Sequence, residues 1–248
     1  MDDLFFGLIV LIIGIVFLFS VFRPFTNLYK RVDINKQTAK ALGASYRTQN
    51  QALVEGVQHL MRRRAPGGRL LKLETPQIFN ALYFEQSGRQ IIWAEFSDKI
   101  NARRVPSPYG RTRLYQTIII IPLTPDDGVP LFEIRRKELA DAFGQFPKNK
   151  VRVTSPQLAS LQRYQSLLTE PKLAQDVQYF FETRPRLVSI CTRHRNYRLV
   201  SDGRWLIFHE PEVYLASTIE HVNYHIKIGD EILRQINRPE SHLKGGIH

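Results

Sequence analysis

Two histidines spaced four positions apart are the residues whose spacing most resembles a metal site. His221 and His225 fall in a segment with helical periodicity, so both side chains project from one face. Such a pair can supply two zinc ligands, with His209 or Glu210 as a third. The metalloprotease pattern needs glutamate directly after the first histidine, and this sequence has Val222 there. We therefore predict no metal centre and place the pair at the edge of the core.

The single cysteine could act as a nucleophile only beside a base. Cys191 and His194 are three positions apart in a segment that reads as a strand, which puts them on opposite faces. A thiolate–imidazole pair needs both groups within hydrogen-bond reach. The sequence therefore predicts a buried, unreactive cysteine, and one cysteine also excludes a disulfide scaffold.

Sequence motifs for catalysis and cofactor binding are absent. The chain contains no P-loop, no glycine-rich dinucleotide motif, no G-x-S-x-G and no C-x-x-C. Asp126 and Asp127 are adjacent carboxylates, but they lie in a Pro/Gly turn where aspartate serves turn formation. We predict no catalytic residue and no cofactor.

An arginine-rich loop is predicted between two strands, over Asn101–Arg113. Its arginines surround Tyr109 and form a candidate surface for an anion or a partner: Arg103, Arg104, Arg111 and Arg113. The alternative is a solvated loop without a ligand.

The first residues of the chain have the features of a membrane anchor. Leu4–Phe22 is a run of 19 residues without a charge, in which Ser20 is the one strongly polar member. As a helix it spans roughly 28 Å, close to the ~30 Å of bilayer hydrocarbon. The preceding residues are acidic and Arg23-Pro24 follows, unlike the basic start and small-residue end of a signal peptide. We predict a retained transmembrane helix within residues 1–22.

Lysine and arginine counts on the two sides of this run predict its orientation. None precedes it, and five follow within about twenty residues: Arg23, Lys30, Arg31, Lys36 and Lys40. The N-terminus is therefore expected outside and the remainder in the cytoplasm, which in a bacterium means the inner membrane.

The segment 23–69 is predicted to be a basic juxtamembrane helical segment. It holds ten lysines and arginines against two acids, a net +8 of the total +12. The five cations next to the anchor are expected to contact anionic headgroups, at about 1 kcal/mol each. The alternatives are a solvated helix whose charges only enforce topology, or nucleic-acid binding at Arg62–Arg64, which we disfavour.

An apolar stripe runs through the same segment. It has 4-3 spacing, with Gly7 and Gly14 on its continuation into the anchor: Leu28, Val32, Ala39, Leu42, Tyr46, Leu53 and Leu60. This spacing is typical of coiled coils, and small residues permit close helix contact in membranes. Homo-oligomerisation through the N-terminal helix and packing on the chain's own domain both remain open.

Residues 70–237 are predicted to form a cytoplasmic α+β domain with a mostly antiparallel sheet, packed helices and a long C-terminal helix. The β-branched run Ile118–Ile121 is expected in a central strand buried on both faces. Ser87-Gly88 and Asp202-Gly203 are predicted turns. The last helix is expected over about Glu212–Asn237, before a flexible tail over 238–248.

Four further elements are predicted between the first and last strands of this domain. They are helices over Arg136–Phe143, Ser155–Leu168 and about Pro171–Glu182, and a strand over Arg186–Thr192.

Five short motifs resemble a broad group of bacterial membrane-anchored proteins. They are GRQIIW (88–93), QTIIIIPL (116–123), PLFEIR (130–135), LLTEPKL (167–173) and DGRWLIF (202–208). The resemblance covers about residues 88–236 and implies a bacterial source and a cytoplasmic α+β body. It implies no activity.

These observations favour a single-pass membrane-anchored interaction or assembly module, such as an accessory subunit of a membrane complex, over an enzyme. Its expected partners are the anionic bilayer surface and a protein in the membrane or cytoplasm. The alternatives are a membrane-tethered hydrolase or metal-dependent enzyme, and a membrane-held nucleic-acid or ligand binder. A deep pocket with convergent polar groups would favour an enzyme, and an exposed apolar patch a partner surface.

Overall fold

Short apolar segments assemble into one nine-stranded antiparallel sheet. The computed structural model describes residues 32–61, 75–99, 113–147, 149–209 and 218–237. The strands within these ranges are β1 (Ser45–Gln49), β2 (Gln77–Gln86), β3 (Arg89–Lys99), β4 (Arg113–Pro122), β5 (Phe132–Arg136), β6 (Val151–Arg152), β7 (Gln165–Thr169), β8 (Arg198–Ser201) and β9 (Trp205–His209). They are ordered β1-β2-β3-β4-β9-β8-β5-β7-β6 across the sheet. The predicted α+β class with a mostly antiparallel sheet is therefore confirmed.

Helices cover this sheet on both faces. Those in the described ranges are α1 (32–41), α2 (Gln51–Val57), α3 (Leu139–Ala142), α4 (Ala159–Gln162), α5 (Ala174–Glu182), α6 (Pro185–Arg193) and α7 (Ile219–Ile236). None of them combines the length and the apolar character needed to cross a bilayer. The anchor predicted over Leu4–Phe22 and the tail over 238–248 lie outside the described residues.

The centre of the sheet is apolar on both sides. Ile118, Ile119, Ile120 and Ile121 lie on β4 and are at most 1% exposed, which confirms the central strand. Ile119 and Ile121 belong to the larger core, which α5, α6 and α7 cover. Ile118 and Ile120 belong to the core beneath α2. Four consecutive β-branched residues are suited to this position because alternate side chains enter opposite cores.

The two ends of the sheet carry different connections. At one end, here called the Gly88 end, Ser87 and Gly88 turn β2 into β3 with φ of 52° and 74°, as a type I′ hairpin requires. The predicted turn at Asp202-Gly203 lies at this end and joins β8 to β9. The other end, here called the Lys99 end, contains the end of β3 and the start of β4.

The basic helical segment predicted over residues 23–69 is only partly helical where it is described, over residues 32–61. This part contains α1, then β1 paired with β2, then α2 packed on the sheet. Gly43, with φ of 67°, follows α1 and ends it, and the Ala44 amide donates to the Ala39 carbonyl as in a C-terminal cap. The 4-3 stripe therefore does not lie along one helix, because the chain is extended from Ser45 to Gln49.

Three other predictions of secondary structure are wrong in whole or in part. Arg186–Thr192 lies in helix α6, which Pro185 starts at its first position, and not in a strand. The helix predicted over Ser155–Leu168 is a 3-10 turn followed by short α4, and the chain then becomes β7, paired with β5 and β6. The helix predicted over Arg136–Phe143 is reduced to α3 because Arg136 belongs to β5.

The C-terminal helix and α5 agree better with their predictions. Within the described residues α7 covers Ile219–Ile236, where Thr218 caps it by accepting from the His221 amide at 3.2 Å. A 3-10 turn over Pro171–Leu173 leads into α5, which ends at Glu182 as expected.

Tyr46 on β1 links this strand to the start of β2. The Tyr46 hydroxyl donates to Asn80 Oδ1 at 2.6 Å, near the start of β2. Burial raises the pKa of Tyr46, and the nearby charges of Glu95 and Asp33 add to this.

Candidate functional site

The described cations predicted to contact lipid are exposed on α1. Lys36 and Lys40 are one turn apart and face solvent, while Asn35, Thr38 and Ala39 are buried. Arg23, Lys30 and Arg31 lie outside the described residues. Headgroup contact by this set therefore stays a prediction.

Of the four arginines in the predicted arginine surface, Arg113 is the one that lies within the described residues. Arg113 begins β4 and pairs with Lys99 at the Lys99 end of the sheet. Arg103, Arg104 and Arg111 lie outside the described residues, so the proposed convergence of the four arginines stays a prediction.

The histidine pair on α7 takes part in an aromatic cluster. His225 is buried, and its Nδ1 lies 2.9 Å from the His221 carbonyl oxygen, so Nδ1 donates. Its Nε2 then accepts from the Tyr197 hydroxyl at 3.2 Å. Burial lowers the pKa of His225 to about 4, so the ring is neutral at physiological pH. Across the described residues, no three His, Cys, Asp or Glu side chains converge as a metal site would require.

The same cluster joins three elements of the core. Tyr197 stacks on Phe208 with ring centroids 4.5 Å apart, and His194 meets both rings edge-on. The Tyr224 hydroxyl lies 3.3 Å from His194 Nδ1. These contacts tie the end of α6 to β9 and α7, which is a structural role.

Cys191 is buried, as predicted, although it lies on helix α6 and not on a strand. Burial raises the pKa of its thiol to about 12. Because the thiolate is the nucleophilic form, this environment suppresses cysteine chemistry at neutral pH.

A buried ionic network lies on the face of the sheet opposite α5 and α6, and sequence reasoning missed it. Glu133 on β5 is 5% exposed and accepts from Lys150 Nζ at 2.6 Å and from Arg198 Nε at 3.0 Å. Burial by itself would raise the pKa of Glu133, but Arg198 and Lys150 hold it at about 2. The alternation of residues in β5 suggests a solvent-facing carboxylate, and tertiary contacts bury it.

A second ionic group adjoins this network at the Lys99 end. Arg135 Nη2 donates to Asp141 Oδ1 at 2.6 Å, and the Ser166 hydroxyl donates to Asp141 Oδ2 at 2.8 Å. Arg135 also pairs with Glu138 at 2.7 Å. These bonds fix α3 against β5 and β7.

A cleft of about 730 Å³ opens at the Gly88 end of the sheet. Arg89 forms a bidentate pair with Asp127 at 2.5 Å and donates to Asn237 Oδ1 at 2.9 Å. Burial would raise the pKa of Asp127, but the bonds from Arg89 and the Thr124 amide lower it. Tyr179, on α5, lines the same cleft and is 50% exposed. The carboxylates of the predicted Asp126–Asp127 turn therefore border a cleft with an accessible aromatic ring.

A second cleft of about 610 Å³ lies between the start of α4 and helix α6. Glu182 lines it and accepts hydrogen bonds from Ser155 and from Gln178. These bonds lower the pKa of Glu182, so it is ionised at neutral pH. A paired, ionised carboxylate of this kind supports the fold of the α4–α5 junction.

Comparison with known proteins leaves the chain without an assigned family. No protein-family model matches it, and no curated protein gives a significant match. Among solved structures, the crystal structure of the mycobacterial trehalose monomycolate transport factor A, TtfA, aligns with a TM-score of 0.42 and 13% identity. The alignment covers 83% of this chain and 95% of that chain. This level of similarity carries no argument about function, so a functional conclusion must rest on the residues of this chain.

Proposed function

We propose that the protein is a single-pass membrane-anchored interaction module that acts as an accessory subunit of a membrane complex. The observation that carries the proposal is the uncharged run Leu4–Phe22 followed by five cations, joined to a folded α+β domain. In this orientation the N-terminus is outside and the domain is in the cytoplasm.

The buried ionisable groups are held by partners within the domain, and this supports an interaction function over catalysis. Glu133 and Asp141 are committed to ion pairs with lysine and arginine, Cys191 is buried, and His225 has both ring nitrogens engaged. Each of these groups stabilises contacts between elements of the domain.

The cleft at the Gly88 end is the best candidate for the protein partner. Tyr179 offers an exposed aromatic ring, and Asp126 and Asp176 add carboxylates beside the bound pair Arg89–Asp127. An aromatic anchor within a polar rim is typical of protein interfaces.

Tyr179→Ala should weaken partner binding about 30-fold or more, and lower partner recovery, if this cleft is the interface, because truncation of an aromatic anchor costs roughly 2 kcal/mol or more. The measurement is quantitative mass spectrometry after crosslinking in intact membranes and purification of the tagged full chain. Ile219→Ala is the control, since Ile219 is 44% exposed and lies at the start of α7 outside the cleft. Equal recovery of every crosslinked protein with both variants would contradict the assignment of the cleft.

Protease treatment of spheroplasts tests the orientation. We expect the C-terminal domain to resist digestion from outside until the membrane is permeabilised, because the lysine and arginine excess follows the anchor. Extraction by carbonate is the control for anchoring, and the chain should stay with the membrane fraction. Digestion of the domain in sealed spheroplasts would show that the orientation is inverted.

A further inference from the structure

Exposed cations and aromatic rings converge at the Lys99 end of the sheet. Arg136 is the last residue of β5, and Lys137 follows it. The Lys137 amide donates to the Tyr164 carbonyl at 3.0 Å, next to the start of β7. Arg195 lies over the Tyr164 ring at 4.9 Å and Arg163 lies at 5.3 Å. All four cations and Tyr164 are exposed. We call these five residues the basic–aromatic surface.

An exposed phenylalanine adjoins this surface. Phe143 is 72% exposed, more than any other large hydrophobic side chain in the described ranges. It follows α3, which the Asp141 carboxylate holds against Arg135 and Ser166 at the same end. Solvent-exposed aromatic rings beside arginine and lysine are characteristic of surfaces that contact membrane interfaces.

Two carboxylates at this end are engaged with groups of the domain itself. Asp98 is buried and accepts from the Thr75 amide at 3.0 Å, and Glu138 pairs with Arg135. The opposite Gly88 end carries carboxylates at its turns: Glu85, Asp126, Asp127 and Asp202. The four cations of the basic–aromatic surface thus have no carboxylate partner within the described ranges, and carboxylates lie at the turns of the opposite end.

From these observations we infer that the Lys99 end of the domain docks on the anionic surface of the bilayer that anchors the chain, with Arg136, Lys137, Arg163 and Arg195 on phosphate headgroups and Tyr164 between them. This inference rests on the proposed membrane anchoring. It leaves the Gly88 end, with the Tyr179 cleft, directed away from the membrane and open to a cytoplasmic partner.

Hydrogen–deuterium exchange of the full chain in nanodiscs tests the docking. Segments 136–147 and 163–165 should be protected when phosphatidylglycerol replaces part of the phosphatidylcholine, and unprotected in phosphatidylcholine alone. Combined Arg136→Glu, Lys137→Glu, Arg163→Glu and Arg195→Glu should abolish this protection, since losing one cation weakens lipid binding about fivefold and losing four weakens it roughly several-hundred-fold. The matched control reverses four exposed cations elsewhere: Lys172, Arg186, Arg204 and Lys227.

The outcomes separate this inference from the proposed function. Failure of the full chain to incorporate into either nanodisc would contradict membrane anchoring itself. Incorporation into both, without lipid-dependent protection of the two segments, would overturn only the docking. Protection by a DNA or RNA duplex added to phosphatidylcholine nanodiscs, with none from phosphatidylglycerol, would overturn it in favour of nucleic-acid binding. Equal loss in the control variant would show that net charge, and not this surface, is responsible.

Discussion

Glu133→Gln should lower the free energy of unfolding by about 3 kcal/mol or more at neutral pH. Glu133 is buried and balances Lys150 and Arg198, so the substitution leaves two cations without their shared anion. Removing one partner of a buried ion pair typically costs about 3–5 kcal/mol. Urea denaturation of the detergent-solubilised full chain, followed by tryptophan fluorescence, measures the difference.

An exposed ion pair supplies the matched control for this substitution. Glu170 pairs with Lys172 at 3.2 Å on the surface, so Glu170→Gln should change stability by less than about 0.5 kcal/mol. Equal effects of the two variants would show that burial of the Glu133 network contributes nothing.

The Glu133 contribution should also depend on pH. Because the folded-state pKa is lowered to about 2 from an ordinary 4.5, the contribution is fully present above pH 4.5 and is lost as the pH falls toward 2. The stability difference between wild type and Glu133→Gln should therefore shrink over this range. A difference that stays constant down to pH 2 would show that the carboxylate is not ionised in the folded protein.

Gly229→Leu should destabilise the domain by about 1–2 kcal/mol. A Cβ at this position would lie 3.1 Å from Ile119 Cγ2 and 3.2 Å from Ile91 Cγ2, so a larger side chain forces α7 away from β3 and β4. Overpacking of a core typically costs about 1–3 kcal/mol, and the improved helix propensity offsets at most ~1 kcal/mol. Thermal and urea unfolding of the full chain in detergent measure the loss.

Two further variants identify the cause of that loss. Lys227→Leu places the same side chain on the exposed face of α7 and should be close to neutral. Ile91→Ala combined with Gly229→Leu should cost less than the sum of the two single losses, since two of the three atoms nearest the new Cβ belong to Ile91. A double variant whose losses simply add would contradict close packing of α7 on the sheet.

Local signals in the sequence predict the parts of the fold whose structure depends on neighbouring residues along the chain. The β-branched run Ile118–Ile121 forms the central strand, and Ser87-Gly88 forms the hairpin turn. The apolar stripe of α7 is buried from Val222 to Ile236, with Gly229 at its closest approach to the sheet. Side-chain period and turn chemistry act within a few residues, so the sequence reveals them directly.

Where the sequence is compatible with both helix and strand, tertiary contacts determine which of the two forms. Residues 186–192 are rich in β-branched side chains, yet the burial of Leu187, Val188, Ile190 and Cys191 follows helical spacing against the core. Gln165–Thr169 could continue a helix, and pairing with β5 and β6 on both sides makes it a strand.

Among the candidate sites too, some can be recognised in the sequence and others form only in the folded domain. The uncharged run and the charge asymmetry that predict the anchor can be read from the sequence by itself. The Glu133 network, the Tyr179 cleft and the basic–aromatic surface each join residues that are far apart in the chain, such as Arg136 and Arg195. Only the strand order brings them together, because a nine-stranded sheet places β8, β5 and β7 side by side although they are distant in sequence.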